Sequence, residues 1–398
     1  MLQKITITFF SKVLNALLGF LNAILITQFL GADGKGVISL FMASVGLCIM
    51  FCQLMSGNVL VFLSSRIPIS TLLIISYVWS IIVSIVLSSG LFTLHLLPAE
   101  YLIDCMVISS LYALFQAHAF ILLGKEKTHL YNILIPIPLL FQLITGVILL
   151  VVLQIHNNTL YIHSLNYVFG LSFIITFLCI LPKIGAITFP TKNTICDIWR
   201  KGCQAQLSNI LFFFNNRIFF YILGFYFLQT QVGIYSVAIM LIESILLIGN
   251  SFSLMLYSQI SNAISKKQSM QISKKYMQIS FSLTLFALLL IVIIPNDAYI
   301  ILFGKDFSIV KKISLYLSPG TLLMSTYYIT SSYFSGIGKY TYNNYAVGLG
   351  LLFTIVGGII FIPSGDIFTA AIITSIAFSV IALCSLWQFR KEILLHSK

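Results

Sequence analysis

Residues 204–261 read QAQLSNILFFFNNRIFFYILGFYFLQTQVGIYSVAIMLIESILLIGNSFSLMLYSQIS, two apolar runs joined by a short polar turn near Gln229 to Val232. Each run is long enough to cross a bilayer as a helix, yet together they hold Arg217 and Glu243, residue types that such spans ordinarily lack. Counted outward from Thr230, each lies about thirteen residues away, so at about 1.5 Å per residue the two reach a similar depth and are able to meet. Ionisable groups at that depth face a bundle interior or a water-filled cavity and are functional candidates, which points to a transport pathway.

The rest of the chain agrees with that class. Of 398 residues 59% are hydrophobic and 8% charged, with a mean hydropathy of +1.04, outside the range of soluble domains. Apolar runs recur between short polar breaks and give twelve expected spans. They fall near 7–30, 38–63, 70–96, 101–123, 130–154, 162–182, 203–228, 233–259, 277–295, 313–335, 343–362 and 367–389. The opening MLQKITITFFSKVLNALLGFLNAIL lacks a small-residue cleavage site and reads as a retained first span.

The net charge of +12 is a matter of topology rather than of nucleic-acid binding. With the N-terminus inside, sixteen of the twenty-two Lys and Arg fall on the cytoplasmic side. They include Lys4, Arg66, Arg200, Lys201, the Lys266, Lys267, Lys274 and Lys275 cluster, Lys339 and Lys398. Lys35, Lys305, Lys311 and Lys312 fall opposite, and the positive-inside rule places both termini in the cytoplasm. Trp199 beside Arg200 and Trp387 near Arg390 read as interfacial anchors on that side.

A weak internal repeat organises the spans. GVISL at 36–40 echoes GIYSV at 233–237, an offset of 197, and at that offset Ser39, Gly46 and Gln53 correspond to Ser236, Glu243 and Asn250. Lys12, Asn15, Gly19 and Asn22 share their spacing with Gln206, Asn209, Phe213 and Asn216, so each half carries one polar stripe. Two parallel six-helix halves are expected, 1–182 and 203–398, joined by a cytoplasmic linker at 183–202, with a substrate cavity central to them. Pro136, Pro138 and the Pro319–Gly320 pair are expected to bend their helices.

Several chemistries find no footing. No Gly-rich phosphate loop with Lys and Ser or Thr occurs, which argues against direct ATP use. Cys48 and Cys52 share a helix face without a His or second Cys pair nearby, so they read as core residues and no metal or cofactor is expected. The largest outer break, Asn296 to Ile309, is too short to assemble the acid, base and metal groups of a membrane enzyme.

The polar residues each admit two readings. Lys12 either snorkels to the interface or belongs to the stripe of Asn15 and Asn22. Arg217, more than ten residues from either end of its span, either neutralises Glu243 or binds an anion, and both hold if the pair opens for substrate. Glu243 has a further possible role in proton coupling. His118 is either a satisfied structural histidine or a ligand. Asn15, Asn22, Asn209 and Asn216 are individually ordinary helix-joining residues, and their shared spacing makes them candidates.

At several places the chain resembles the polysaccharide-transporter branch of the multidrug/oligosaccharidyl-lipid/polysaccharide (MOP) exporters, in particular the Wzx-type O-antigen flippases. These places are FLGADGKGVISLF (29–41), NNRIFFYILGFYF (215–227), VGIYSVAIMLIES (232–244), GIGKYTYNNY (336–345) and IPSGDIFTAAIITSIAFS (362–379). Departures are Phe219, where the family often has an acidic residue, Tyr257 and Ser258, where a Pro is common, and Thr369 in place of Gly before Ala370 and Ala371. The first departure makes Glu243 the expected partner of Arg217.

The resemblance implies a MOP fold in the bacterial inner membrane. It also implies movement of an undecaprenyl-pyrophosphate-linked oligosaccharide between leaflets by alternating access, among membrane lipids and beside the polymerase and chain-length regulator of the same pathway. On that reading Lys12 and Arg217 hold the pyrophosphate, the four asparagines, with His118, contribute to the substrate site, and Glu243 pairs or couples. The stripes are basic and amide-rich, which suits such a substrate better than a drug cation. The rival readings are a multidrug exporter on the same fold, which needs acidic cavity residues, and a membrane polymerase or acyltransferase, which needs a long functional loop.

Overall fold

The computed structural model describes residues 2–57, 59–261 and 266–396. Lys398 lies outside the described residues, as do the connection 262–265 and the side chains of Lys4, Ser258, Lys266 and Lys267. Among the described residues every element is helical. In chain order they are α1 (Leu2–Ser56), α2 (Val59–Leu63), α3 (Ile69–Thr93), α4 (Leu102–Gly124), α5 (Thr128–Leu134), α6 (Ile137–Gly146) and α7 (Asn158–Ile180). There follow α8 (Lys192–Tyr226), α9 (Gln229–Ser261), α10 (Lys266–Ile293), α11 (Asn296–Phe303), α12 (Val310–Gly336), α13 (Tyr340–Phe361) and α14 (Ile367–His396).

Each of the twelve expected spans falls on helix. The first two are the arms of α1, separated at Gly31, whose φ of 66° and ψ of −169° lie in a region that only glycine occupies without strain. Nine stretches of the described residues are long and apolar enough to cross a membrane, and the first, Phe10–Leu63, has length for two crossings. The apolar criterion passes over α8 and α12, which match the length but are diluted by Asn, Gln, Ser, Thr and Tyr. Large apolar side chains face outward, as along α3 at Val78, Ile81, Ile82, Ile85 and Val86, the arrangement a lipid environment rewards. The protein is an all-α, multi-pass membrane protein.

The chain forms two compact units, Met1–Ile210 and Leu211–Lys398, and the division falls inside α8. In the first unit α4 packs on α7, α3 and α1. Small residues line that seam: Cys48 and Cys105 both approach Ser88 Oγ, at 3.6 and 3.3 Å, and Cys52 meets Ser84 at 3.6 Å. Such residues let helix backbones approach where no hydrophobic effect drives them together. The fifth span breaks between Leu134 and Ile137, around Pro136 with Pro138 in the first turn of α6, and ends in a π-turn at 147–152.

In the second unit α12 is central, packed against α9, α10 and α14. It runs on through Pro319. The next amide, Gly320 N–H, donates to Ser375 Oγ on α14 at 2.9 Å, and a Cβ at Gly320 would stand 2.3 Å from the Ser375 carbonyl oxygen. The proline thus frees backbone hydrogen bonding that a neighbouring helix takes up.

The helix expected from residue 203 begins at Lys192. Its first turns, KNTICDIWRKG, carry no apolar span pattern, but Thr191 Oγ1 accepts from Thr194 N–H at 3.3 Å, Ile198 is fully buried, and Trp199 packs edge-on against Trp79 at 5.0 Å. Tertiary packing, not apolar length, extends the helix.

Candidate functional site

Arg217 on α8 and Glu243 on α9 meet in the second unit, as their equal distance from the turn allows. Nη1 lies 2.8 Å from Oε1 and Nη2 donates to Oε2 at 2.9 Å, a two-pronged pair, with the guanidinium carbon 5.3 Å from the centre of the Phe220 ring. The side chains are 27% and 37% exposed. Where that exposed face meets water the pair opens for about 1 kcal/mol, whereas breaking a fully buried one costs about 3–5 kcal/mol. Another anion with two suitably spaced oxygens can therefore replace the carboxylate on the same guanidinium fork.

Beside the pair, Asn216 is half-buried and makes no hydrogen bond among the described residues. Its neighbour Asn215 is buried instead, accepting from Thr354 Oγ1 on α13 at 2.6 Å and leaving Nδ2 without a partner. The two adjacent amides point to different surroundings, one residue apart being about 100° around a helix. Tyr235 on α9 is buried and bonded to Thr374 at 2.7 Å.

The other candidates belong to the first unit. Lys12 and Asn15 are half-buried on α1, and neither has a hydrogen-bond or ion-pair partner among the described residues. Asn22, three turns along, is buried and donates to the Leu18 and Leu139 carbonyls at 2.8 and 3.0 Å, joining α1 to α6. Its carbonyl oxygen alone lacks a partner.

His118 on α4 is fully buried, with Nε2 bonded to the Tyr77 hydroxyl and Nδ1 at 3.0 Å from Thr176 Oγ1, among Phe173 and Phe177. Both ring nitrogens are engaged, so the site expected at His118 has no atom left for a ligand in this structure. His118→Leu is expected to cost about 1–3 kcal/mol of stability by stranding two buried hydroxyls, read as a lower thermal midpoint, without changing ligand affinity of the folded protein. Loss of ligand affinity at an unchanged midpoint would return His118 to the site.

Asn209 stands at the exposed end of a chain of primary amides. Its Nδ2 donates to Gln206 Oε1, Gln206 Nε2 donates to Gln53 Oε1 at 2.8 Å, and Gln53 Nε2 donates to Gln116 Oε1. Helices α8, α1 and α4 are thereby linked. The approach is close: a Cβ at Gly202 would lie 1.6 Å from the Leu54 carbonyl oxygen, and one at Gly57 would lie 2.8 Å from Gln206 Nε2.

Two further charged clusters escaped the sequence reading. Asp104 on α4, 4% exposed, takes His163 Nδ1 at 2.9 Å on both oxygens and Asn166 Nδ2 on one. The signal was the i, i+3 spacing of His163 and Asn166, which puts both on one face of α7. Glu392 on α14 is buried and receives Lys339 Nζ at 2.7 and 2.8 Å, closing the turn between α12 and α13. Among the described residues no group of three or more His, Cys, Asp or Glu converges as a metal site.

No protein-family model matches the sequence, and no curated protein matches it either. Solved structures do. The chain is similar to the lipid II flippase MurJ in an inward closed conformation, at 17% identity over 98% of this chain and 88% of that one, with a TM-score of 0.76. It is similar to an inward-facing multidrug resistance MATE family transporter of the MOP superfamily, at 15% identity over 96% and 95%, TM-score 0.71. A MOP superfamily transporter from Pyrococcus furiosus, described as having a binding pocket of reverse polarity, matches at 14% identity over 100% and 96%, TM-score 0.65. The fold is shared with these transporters, flippase and multidrug types alike.

Proposed function

We propose that this chain is a flippase that carries an undecaprenyl-pyrophosphate-linked oligosaccharide, an O-antigen repeat unit, from the cytoplasmic to the periplasmic leaflet of the bacterial inner membrane by alternating access. The observation that carries the reading is the partly exposed, two-pronged Arg217–Glu243 pair. A pyrophosphate presents the same spaced pair of anionic oxygens as the carboxylate and competes for the same fork. Lys12, an unpaired cation among the described residues, adds charge of the same sign, and Asn15, Asn209 and Asn216 offer amides to sugar hydroxyls. The excess of Lys and Arg on one side of the expected spans supports a topology with both termini in the cytoplasm.

A lipid II flippase of the same fold, similar over nearly the full length of both chains, makes a lipid-linked saccharide a natural cargo for this architecture. The multidrug reading rests on an equally extensive likeness. It is weakened by the shortage of acidic groups: an organic cation calls for cavity carboxylates, and among the candidate site residues Glu243 alone is acidic, against Lys12 and Arg217.

Deletion of the gene in its host, with lipid-linked oligosaccharides extracted and surface polymer measured, separates the readings. The flippase predicts loss of polymer and accumulation of single lipid-linked units in the cytoplasmic leaflet. Units accumulating in the periplasmic leaflet would instead indicate a missing polymerase, and unchanged polymer with drug sensitivity an exporter.

A further inference from the structure

The amide chain Asn209, Gln206, Gln53, Gln116 has more hydrogen-bonding groups than a tie between helices requires. One amide pair suffices to join two helices, and most hydroxyls in the same unit simply return to their own helix, as Ser56, Ser109 and Ser172 do to the carbonyls four residues back. Here four amides are aligned so that each of the first three donates one N–H to the next. Each amide brings two N–H groups and a carbonyl with two lone pairs, so every member keeps capacity after making its link.

The surroundings grade from closed to open. Gln206 is buried, Gln53 and Gln116 are half-buried, and Asn209 is exposed. Tyr112 stands beside Gln116 as a hydrogen-bonding neighbour and packs against Phe115 and Phe169. The four side chains are uncharged, which separates this place chemically from Arg217. A ligand group that suits it is neutral, carries several donor–acceptor hydroxyls at close spacing, and has an apolar face for an aromatic ring.

We infer that the Asn209–Gln206–Gln53–Gln116 ladder is a subsite for the uncharged sugar portion of a lipid-linked saccharide. It rests on the flippase reading and adds residues to it: Gln53, Gln116 and Gln206 join Asn209, while Asn22, whose amide N–H groups are spent on backbone carbonyls, is not part of it. Neighbouring hydroxyls on a pyranose ring, each donor and acceptor, match an amide that presents both functions side by side. An amide row held rigid by its own links loses little freedom when it binds.

The test compares two probes on the purified full chain in lipid nanodiscs: undecaprenyl pyrophosphate, and the same lipid bearing the saccharide extracted from the host. The wild type is expected to bind the saccharide-bearing lipid at least tenfold more tightly. Gln53→Leu is expected to remove most of that preference while keeping affinity for the bare lipid within about twofold. Should Gln53→Leu not fold, Asn209→Ala at the exposed end carries the same expectation with a loss of threefold or more. Equal binding of both probes by the wild type, or equal weakening of both by a well-folded variant, would overturn the subsite and leave the flippase reading standing. Failure of the wild type to bind either lipid would overturn that reading, and the subsite with it.

Discussion

Arg217→Ala is expected to abolish transport of the lipid-linked substrate while leaving a folded protein. Losing two charge-assisted hydrogen bonds to a pyrophosphate removes about 3 kcal/mol, roughly a hundredfold in affinity. The cost to stability is small by comparison. Glu243, left without its partner, is 37% exposed and can be solvated, so about 1 kcal/mol is expected on the thermal midpoint.

Two companion variants make the cause visible. Arg217→Lys keeps the charge but not the planar fork, and should bind roughly tenfold more weakly than wild type. Glu243→Gln removes the competing carboxylate and should tighten binding a few-fold, because the guanidinium no longer has to leave its partner. If Glu243→Gln weakened binding as much as Arg217→Ala, the pair would be a structural strut and not a displaceable one.

The second large effect is expected at Gly202→Val. A Cβ there would lie 1.6 Å from the carbonyl oxygen of Leu54, a backbone atom that cannot rotate away. The two helices must separate, and the Gln206–Gln53 link at 2.8 Å is lost with them. Overpacking of this kind costs about 1–3 kcal/mol or more, and the lost interhelical bond about another 1 kcal/mol. The expected result is a melting temperature lowered by many degrees and little protein in the membrane. A Gly202→Ala protein of wild-type stability would show that α1 and α8 can move apart without penalty.

Much of the fold is legible in the sequence because bilayer thickness converts apolar length directly into helices. Most of the spans, including the two merged in α1, were readable for that reason, while α8 and α12 are diluted by polar residues, and the Gly31 break sits in the GADGKG run between the first two. The start of α8 was not. Lys192 to Gly202 has too few apolar residues to register, and its helicity depends on Ile198 and Trp199 finding partners on other elements.

The site divides the same way. Arg217 and Glu243 were found together because one short turn fixes the geometry between them. Gln53 and Gln206 already stood in the repeat's polar stripes, but Gln53, Gln116 and Gln206 lie on three helices whose relative rotation no local pattern specifies, so Asn209 alone of that row became a site candidate. Asn22 and His118 looked identical to ligand residues in sequence, since a polar side chain in a span reveals neither its burial nor its partners. Asp104 escaped for the converse reason: its partners His163 and Asn166 lie some sixty residues away on α7.

The most direct test is translocation by the purified protein in proteoliposomes. The saccharide-bearing pyrophosphate lipid is placed in one leaflet, and the sugar reaching the other is read with a lectin that cannot cross the membrane. The expected result is movement by wild type, none above protein-free vesicles by Arg217→Ala, and no comparable transport of an organic cation such as ethidium. Ethidium transport by wild type with the lipid left in its original leaflet would contradict the flippase reading and give the fold to drug export.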